Sequence, residues 1–181
     1  MVTLRIYDNV RLKPATWAEL RASTLAALAD TGVTLDWRHC GQAAEHDDCR
    51  RPADSIDVIL RVVTSHRTRE RKRCGFALST PPQAAFISLD TDCAFRSAAL
   101  NNKSWRTTQT TEAQIMGYTL AHELAHVLLP GEPHSDDGLF RARLTRQDLA
   151  RIPSGELTFL PQDIERLRMA ALRRHQGVEP Q

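Results

Sequence analysis

A chain of 181 residues, 41% of them hydrophobic and with a formal net charge of +2, has room for one globular domain with a substantial core and not for two. Charged residues make up 25% and are of both signs, which is ordinary for a solvated surface and gives no argument for an acidic partner. No apolar run approaches the length of a membrane span, so no membrane partner is expected.

Residues 2–8 alternate as a first strand and lack the charged-then-apolar pattern of a secretory leader. Pro14 opens a helix in which Trp17, Leu20, Leu25 and Leu28 recur at roughly helical spacing until Gly32, and Val33 to Trp37 reads as a second strand. Strand, helix and strand in that order predict a right-handed parallel crossover. The polar stretch from His39 to Asp54 reads as a loop, and residues 56–63 as a well-buried third strand. From His66 to Arg73 the chain carries Arg67, Arg69, Arg71, Lys72 and Arg73 against one Glu70. Without interleaved aromatics this run reads as a solvated loop, and no nucleic acid is expected as a partner. Residues 75–78 are a short extended piece, Pro81 and Pro82 a break, and residues 84–89 a further strand. Residues 90–109, mixed and polar with Trp105 as the late apolar exception, read as a cover for the sheet or a lead into the next helix.

Four cysteines, Cys40, Cys49, Cys74 and Cys93, lie at loop-like positions and form no C-x-x-C pair. An even number so placed points to two disulfides in an oxidising compartment. Of the three connectivities possible with four cysteines, Cys40 with Cys49 and Cys74 with Cys93 close the shortest loops. The expected location is therefore secreted or periplasmic, with a leader removed beforehand; reduced thiols in a cytoplasmic protein are the alternative.

The stretch from Thr111 to Arg141 holds the chemistry. Thr111 followed by Gln114 makes a capping box, Ile115, Met116, Thr119, Leu120 and Val127 a buried stripe, and Pro130 with Gly131 a stop, giving a helix of about five turns. On it lie His122, Glu123 and His126 in the pattern HExxH. Residues four apart share a helix face, so the two imidazoles can converge on one ion while Glu123, one step round, reaches a water. Zinc hydrolases hold the ion with three protein groups and leave a fourth position for water. His134, beyond the Pro130–Gly131 break, is the candidate third ligand, with Asp136, Asp137 and Glu165 as rivals. Tyr118 reads as core, and His39, His46, His66 and His175, in polar surroundings, as exposed. Thr145 with Asp148 caps a short helix, residues 155–160 return to the core, and Pro161 opens a final helix with Ile164, Leu167 and Ala171 inward. Residues 177–181 form a flexible tail.

The helix, the third His after a turn, and the segment Ser135-Asp136-Asp137-Gly138-Leu139-Phe140-Arg141 resemble the metzincin clan of zinc endopeptidases, whose signature is HExxHxxGxxH followed by a Met-containing turn. More narrowly they resemble small bacterial proteins that carry HExxH, a downstream His-Ser and a Gly-Leu-Met-Arg segment. Two departures stand out. His134 lies eight residues after His126, where the clan has six, and Phe140 occupies the place of the turn methionine.

The resemblance implies an α+β fold with a mixed, mostly parallel twisted sheet of four to five strands, a backing helix, an active-site helix and a C-terminal helix. One domain over residues 1–176 is expected, residues 1–110 bearing the sheet and residues 111–176 the metal helix, turn and last helix. It also implies a monomeric metalloendopeptidase with one catalytic Zn2+ on His122, His126 and His134, and Glu123 activating water. The substrate, a peptide or protein, would lie extended along an edge strand, either residues 84–89 or the Phe76 segment. The altered spacing and Phe140 motivate a rival reading, a non-catalytic or lapsed zinc-binding module. A gluzincin-type site with a carboxylate third ligand is the other.

Overall fold

Val2, Leu4 and Ile6 in strand β1 (Val2–Asp8), Val58, Leu60 and Val62 in β3 (Asp57–Val63), and Ala85, Ile87 and Leu89 in β5 (Ala85–Asp90) recur at every second residue. A period of two sends all nine to one face of a sheet, where each is buried. The computed structural model describes residues 1–41, 49–53, 57–64, 73–79, 84–102 and 109–175. His46, His66, Arg67 to Lys72, Pro81, Pro82, Trp105, the tail at 177–181 and the side chain of His175 lie outside the described residues.

The sheet has five strands in the order β2-β1-β3-β5-β4, with β2 at Leu35–His39 and β4 at Gly75–Leu78. β1 pairs in parallel with β2 and β3, β3 pairs in parallel with β5, and β4 alone runs antiparallel, against β5. The fold is thus α+β with a mixed, mostly parallel sheet. Strand β2 starts two residues later than the sequence predicts, because Val33 is held in the preceding turn, its amide donating to the Thr31 hydroxyl. Of the two segments expected as the edge, residues 84–89 are corrected, since β5 is paired on both sides, while β4, which carries Phe76, is an edge strand.

Helices α1 (Pro14–Leu28), α2 (Thr91–Asn101), α3 (Glu112–Leu128), α4 (Arg146–Ala150) and α5 (Pro161–His175) complete the fold. α1 buries Trp17, Leu20, Thr24, Ala27 and Leu28, an i, i+3, i+4 stripe that leaves Leu25 exposed, contrary to the expected pattern. α2 lies in the stretch expected to be mixed and polar. The Asp90 carboxylate starts it by accepting from the amides of Asp92 and Cys93, and Cys93, Ala94 and Ala98 then form its buried face.

α3 packs against α1, α2, β4 and β5, so every other layer of the molecule fixes its position. At Gly117 the contact with α1 is so close that a Cβ would lie 2.6 Å from the Leu20 carbonyl oxygen, and Thr24 donates its hydroxyl to the Gly117 carbonyl at 3.2 Å. Two disulfides, Cys40–Cys49 and Cys74–Cys93, tie down the end of β2 and the start of β4. Both fit an oxidising compartment such as the periplasm or the exterior. Among the described residues no helix is long and apolar enough to cross a membrane.

Candidate metal centre

The capping box at the head of α3 is formed as its sequence predicts. The Thr111 hydroxyl accepts from the Gln114 amide, and the Gln114 side chain accepts from the Thr111 amide, both at 3.0 Å. Three turns on, His122 and His126 share a face, and their Nε2 atoms approach to 3.1 Å. His134 joins them from the loop beyond α3: one ligand atom from each of the three imidazoles lies within 4.8 Å of the others. Phe140, fully buried, lies beneath, its ring centroid 5.6, 5.0 and 5.5 Å from those of His122, His126 and His134. An apolar ring therefore forms a floor beneath the three imidazoles.

The ring of His122 is oriented by its second nitrogen. Nδ1 lies 2.8 Å from the Leu139 carbonyl, and because a carbonyl only accepts, Nδ1 carries the proton and Nε2 keeps its lone pair for the centre of the cluster. Burial, the largest cause, lowers the pKa of His122, and that of His126 to about 4, with the neighbouring imidazoles and Arg73 adding to the second. Both rings are neutral at pH 7 and present lone pairs. Neutral imidazoles converging on one point are the donor set of a borderline divalent cation, so the residues present fit a metal.

His134 needs more support, since it is exposed and belongs to no helix. The Ser135 amide donates to the Phe140 carbonyl at 3.0 Å, closing the loop on itself, and the Leu139 amide donates to the Thr158 carbonyl at 2.8 Å. The Ser135 hydroxyl reaches both oxygens of Asp163 on α5 at 2.8 Å. Asp163 is fully buried and also accepts from Arg166, which pairs with Glu132 at 2.8 Å. The loop that carries His134 is thus fastened to α5. The rival ligands do not join the cluster. Asp137 and Glu165 are 65% and 60% exposed and lie against Arg141 and Arg168, and Asp136 is exposed.

Glu123 is buried at 7% exposure, and that burial pushes its pKa up to about 7, against the opposing pull of the Arg73 charge and of the nearby Ala77 amide. A carboxyl group balanced near neutrality takes up and releases protons with little bias. It sits directly under the edge strand. A Cβ at Gly75 would lie 2.6 Å from Glu123 Oε1 and 2.5 Å from Thr119 Cγ2, so only glycine lets β4 pass so close. Gly75 and Ala77 are site residues that sequence reasoning missed; a glycine inside a short strand is the signal of such an approach. Tyr118, 3% exposed, is core as expected, and His39, exposed at the end of β2, meets the Trp17 ring edge-on at 4.9 Å.

Comparison with models of known protein families and with curated proteins finds no match. Among solved structures, the GM1-bound form of the ECX AB5 holotoxin contains a chain that superimposes with a TM-score of 0.53 at 9% sequence identity, over 94% of this chain and 79% of that one. At that identity the likeness is one of fold.

Proposed function

We propose that this protein is a zinc-dependent peptidase. The observation that carries the reading is the convergence of three imidazoles on one point beside a buried carboxyl group whose pKa lies near neutrality. His122, His126 and His134 would hold the ion, and nitrogen donors favour zinc over magnesium or calcium. When bound, zinc supplies Lewis acidity, polarising a carbonyl and lowering the pKa of water toward neutrality. A closed structural site takes four ligands, and the cluster among the described residues offers three, which favours the catalytic reading over a structural one.

The chain's own residues then have distinct tasks. Glu123 takes a proton from the attacking water at its carboxylate and returns it to the amine nitrogen as the peptide C–N bond breaks and a C–O bond forms. The Leu139 carbonyl keeps His122 in the tautomer that leaves Nε2 unprotonated. Phe140 excludes water from beneath the imidazoles. The edge strand β4, next to Glu123, is where an extended peptide would pair. On this reading the protein works in the oxidising space its disulfides fit, the periplasm or the exterior.

The test is cleavage of a peptide library by zinc-loaded wild type, Glu123→Ala and chelator-stripped protein. The expected outcome is turnover by the first alone. Equal inertness of wild type and Glu123→Ala on every peptide removes the enzyme reading.

A further inference from the structure

Strand β4 has one paired side and one side with no partner strand among the described residues, and the ladder decides which backbone groups face outward. The Asp90 amide donates to the Cys74 carbonyl at 2.9 Å, which makes Cys74 and Asp90 a hydrogen-bonded pair of the antiparallel ladder. Such pairs alternate, and in the observed register Phe76 with Ser88 and Leu78 with Phe86 are the next two bonded pairs. The N–H and C=O groups of Gly75 and Ala77 therefore point away from the sheet. The Ala77 amide lies close enough to the Glu123 carboxylate to stabilise its charge, which leaves both groups of Gly75 and the carbonyl of Ala77 for an added strand.

Side chains alternate in the other sense. Gly75 faces α3, where its missing Cβ would touch Thr119 and Glu123, so Phe76 and Leu78 face the opposite side of the sheet. They are 51% and 50% exposed. In the register Leu78 lies beside Phe86, and Phe86 beside Ile59, so an apolar row crosses three strands and runs off the free edge. Natural edge strands are usually blunted by charge or proline, and two large exposed apolar residues on one face are the reverse of that protection. The added strand that fits them is one whose own alternate side chains are apolar, since directly opposed residues bring their Cβ atoms to about 5 Å.

We propose that Phe76 and Leu78 select the substrate: this edge binds extended peptides with bulky apolar side chains at alternate positions, those pointing away from the histidine cluster. The inference rests on the peptidase reading for the name of substrate, and on β4 alone for the binding. Three free backbone groups form too few hydrogen bonds to hold a peptide, because each net bond offsets little more than the ordering of the residue that makes it. Affinity has to come from the apolar row. Peptide side chains on the α3 side meet Gly75 and Ala77, which are small and make no comparable demand.

Three fluorescein-labelled decapeptides test this by fluorescence anisotropy on zinc-loaded Glu123→Gln protein, which binds without turnover. One carries Leu and Phe at alternate positions, the second Ser at those positions, and the third the first peptide's composition with its apolar residues consecutive. The alternating peptide is expected to bind at least about tenfold more tightly than the other two. Adding Phe76→Ser and Leu78→Ser, both on exposed positions, should abolish that difference while zinc content and far-UV circular dichroism stay unchanged. Equal affinities, binding by none of the peptides, or a preference that survives both substitutions overturns the proposal. Cleavage by wild type separates the two readings. Turnover that ignores Phe76 and Leu78 sinks the selection alone, whereas selective binding without turnover on any peptide sinks the peptidase alone.

Discussion

His122 and His126 stand on α3, a helix of 17 residues in which their spacing follows from the backbone itself, whereas His134 stands in a loop whose shape follows from contacts with distant parts of the chain. The spacing of the helical arm is set by i, i+4 geometry, a capping box and a buried stripe along α3, to which the loop adds the Leu139 carbonyl that orients the His122 ring. The loop arm depends on Thr158, Asp163 and Arg166, which come later in the chain, and on Phe140 filling the space beneath. A histidine cluster assembled in this way has a preformed half and an adaptable half.

Ligand removal puts the largest strain on that comparison. His126→Ala takes away half of the preformed pair and is expected to abolish stoichiometric zinc binding, a loss larger than the roughly 100-fold that removal of an outer partner costs. His134 is exposed, and water can replace its imidazole, so His134→Ala should retain measurable, weaker binding. Competition titration against a chromophoric chelator measures both. Equal losses would mean that the two arms contribute alike.

Phe140 is where the arms meet, since it belongs to the loop and touches all three imidazoles. It is fully buried, so Phe140→Ala should lower stability by about 3 to 5 kcal/mol through lost burial and a cavity. Phe140→Met, which keeps a large apolar side chain there, should lose less than about 1.5 kcal/mol. Urea unfolding of the metal-free protein separates these values. A similar loss for both would mean that the ring shape, and not the filled volume, supports the histidines.

The same division explains how much was legible beforehand. The α3 helix, its caps, its two histidines and Glu123 could be read because each signal lies within one turn or two of its partner. Both disulfides could be read for a similar reason, each closing a short loop. The strands were visible in their alternation, but not their order across the sheet, so the edge stayed open between residues 84–89 and the Phe76 segment until the pairing of β4 with β5 placed it at the second. α2 was missed because its apolar content is small, although the cap at Asp90 was available as a sign. Nothing in the sequence links Ser135 to Asp163, since 28 residues separate them and only the packing of α5 brings them together.

A smaller effect tests whether the preformed arm carries a stability cost for its chemistry. The folded-state pKa of Glu123 is raised to about 7 by burial, so the folded chain keeps a proton that the unfolded chain has already released. Stability contributed by that proton is present below the unfolded pKa and is lost as pH rises through about 7. At 1.36 kcal/mol per pKa unit the ceiling is about 3 kcal/mol. Glu123→Gln removes the ionisable group and should make the metal-free protein more stable than wild type, by an amount that grows from pH 5 to pH 8. Denaturation curves at the two pH values give the difference, and an advantage that does not grow with pH would place Glu123 in wetter surroundings than its burial implies.

The smallest expected effect belongs to the loop arm. Asp163→Asn keeps the shape of the side chain and one oxygen to accept from Ser135, but gives up the charge that holds Arg166 and the second acceptor. The loop is still closed by the Ser135–Phe140 and Leu139–Thr158 backbone bonds, so it should loosen and not unfold. Zinc affinity is expected to fall by about tenfold, at the low end of the range for an outer partner. Hydrogen exchange is the sharper measurement, because it reports on the two arms separately. Amides of residues 135–141 should exchange faster in the variant while those of α3 keep their wild-type rates. If the α3 amides accelerate as well, the fastening to α5 supports both arms, and the helix is less self-sufficient than its caps and stripe make it.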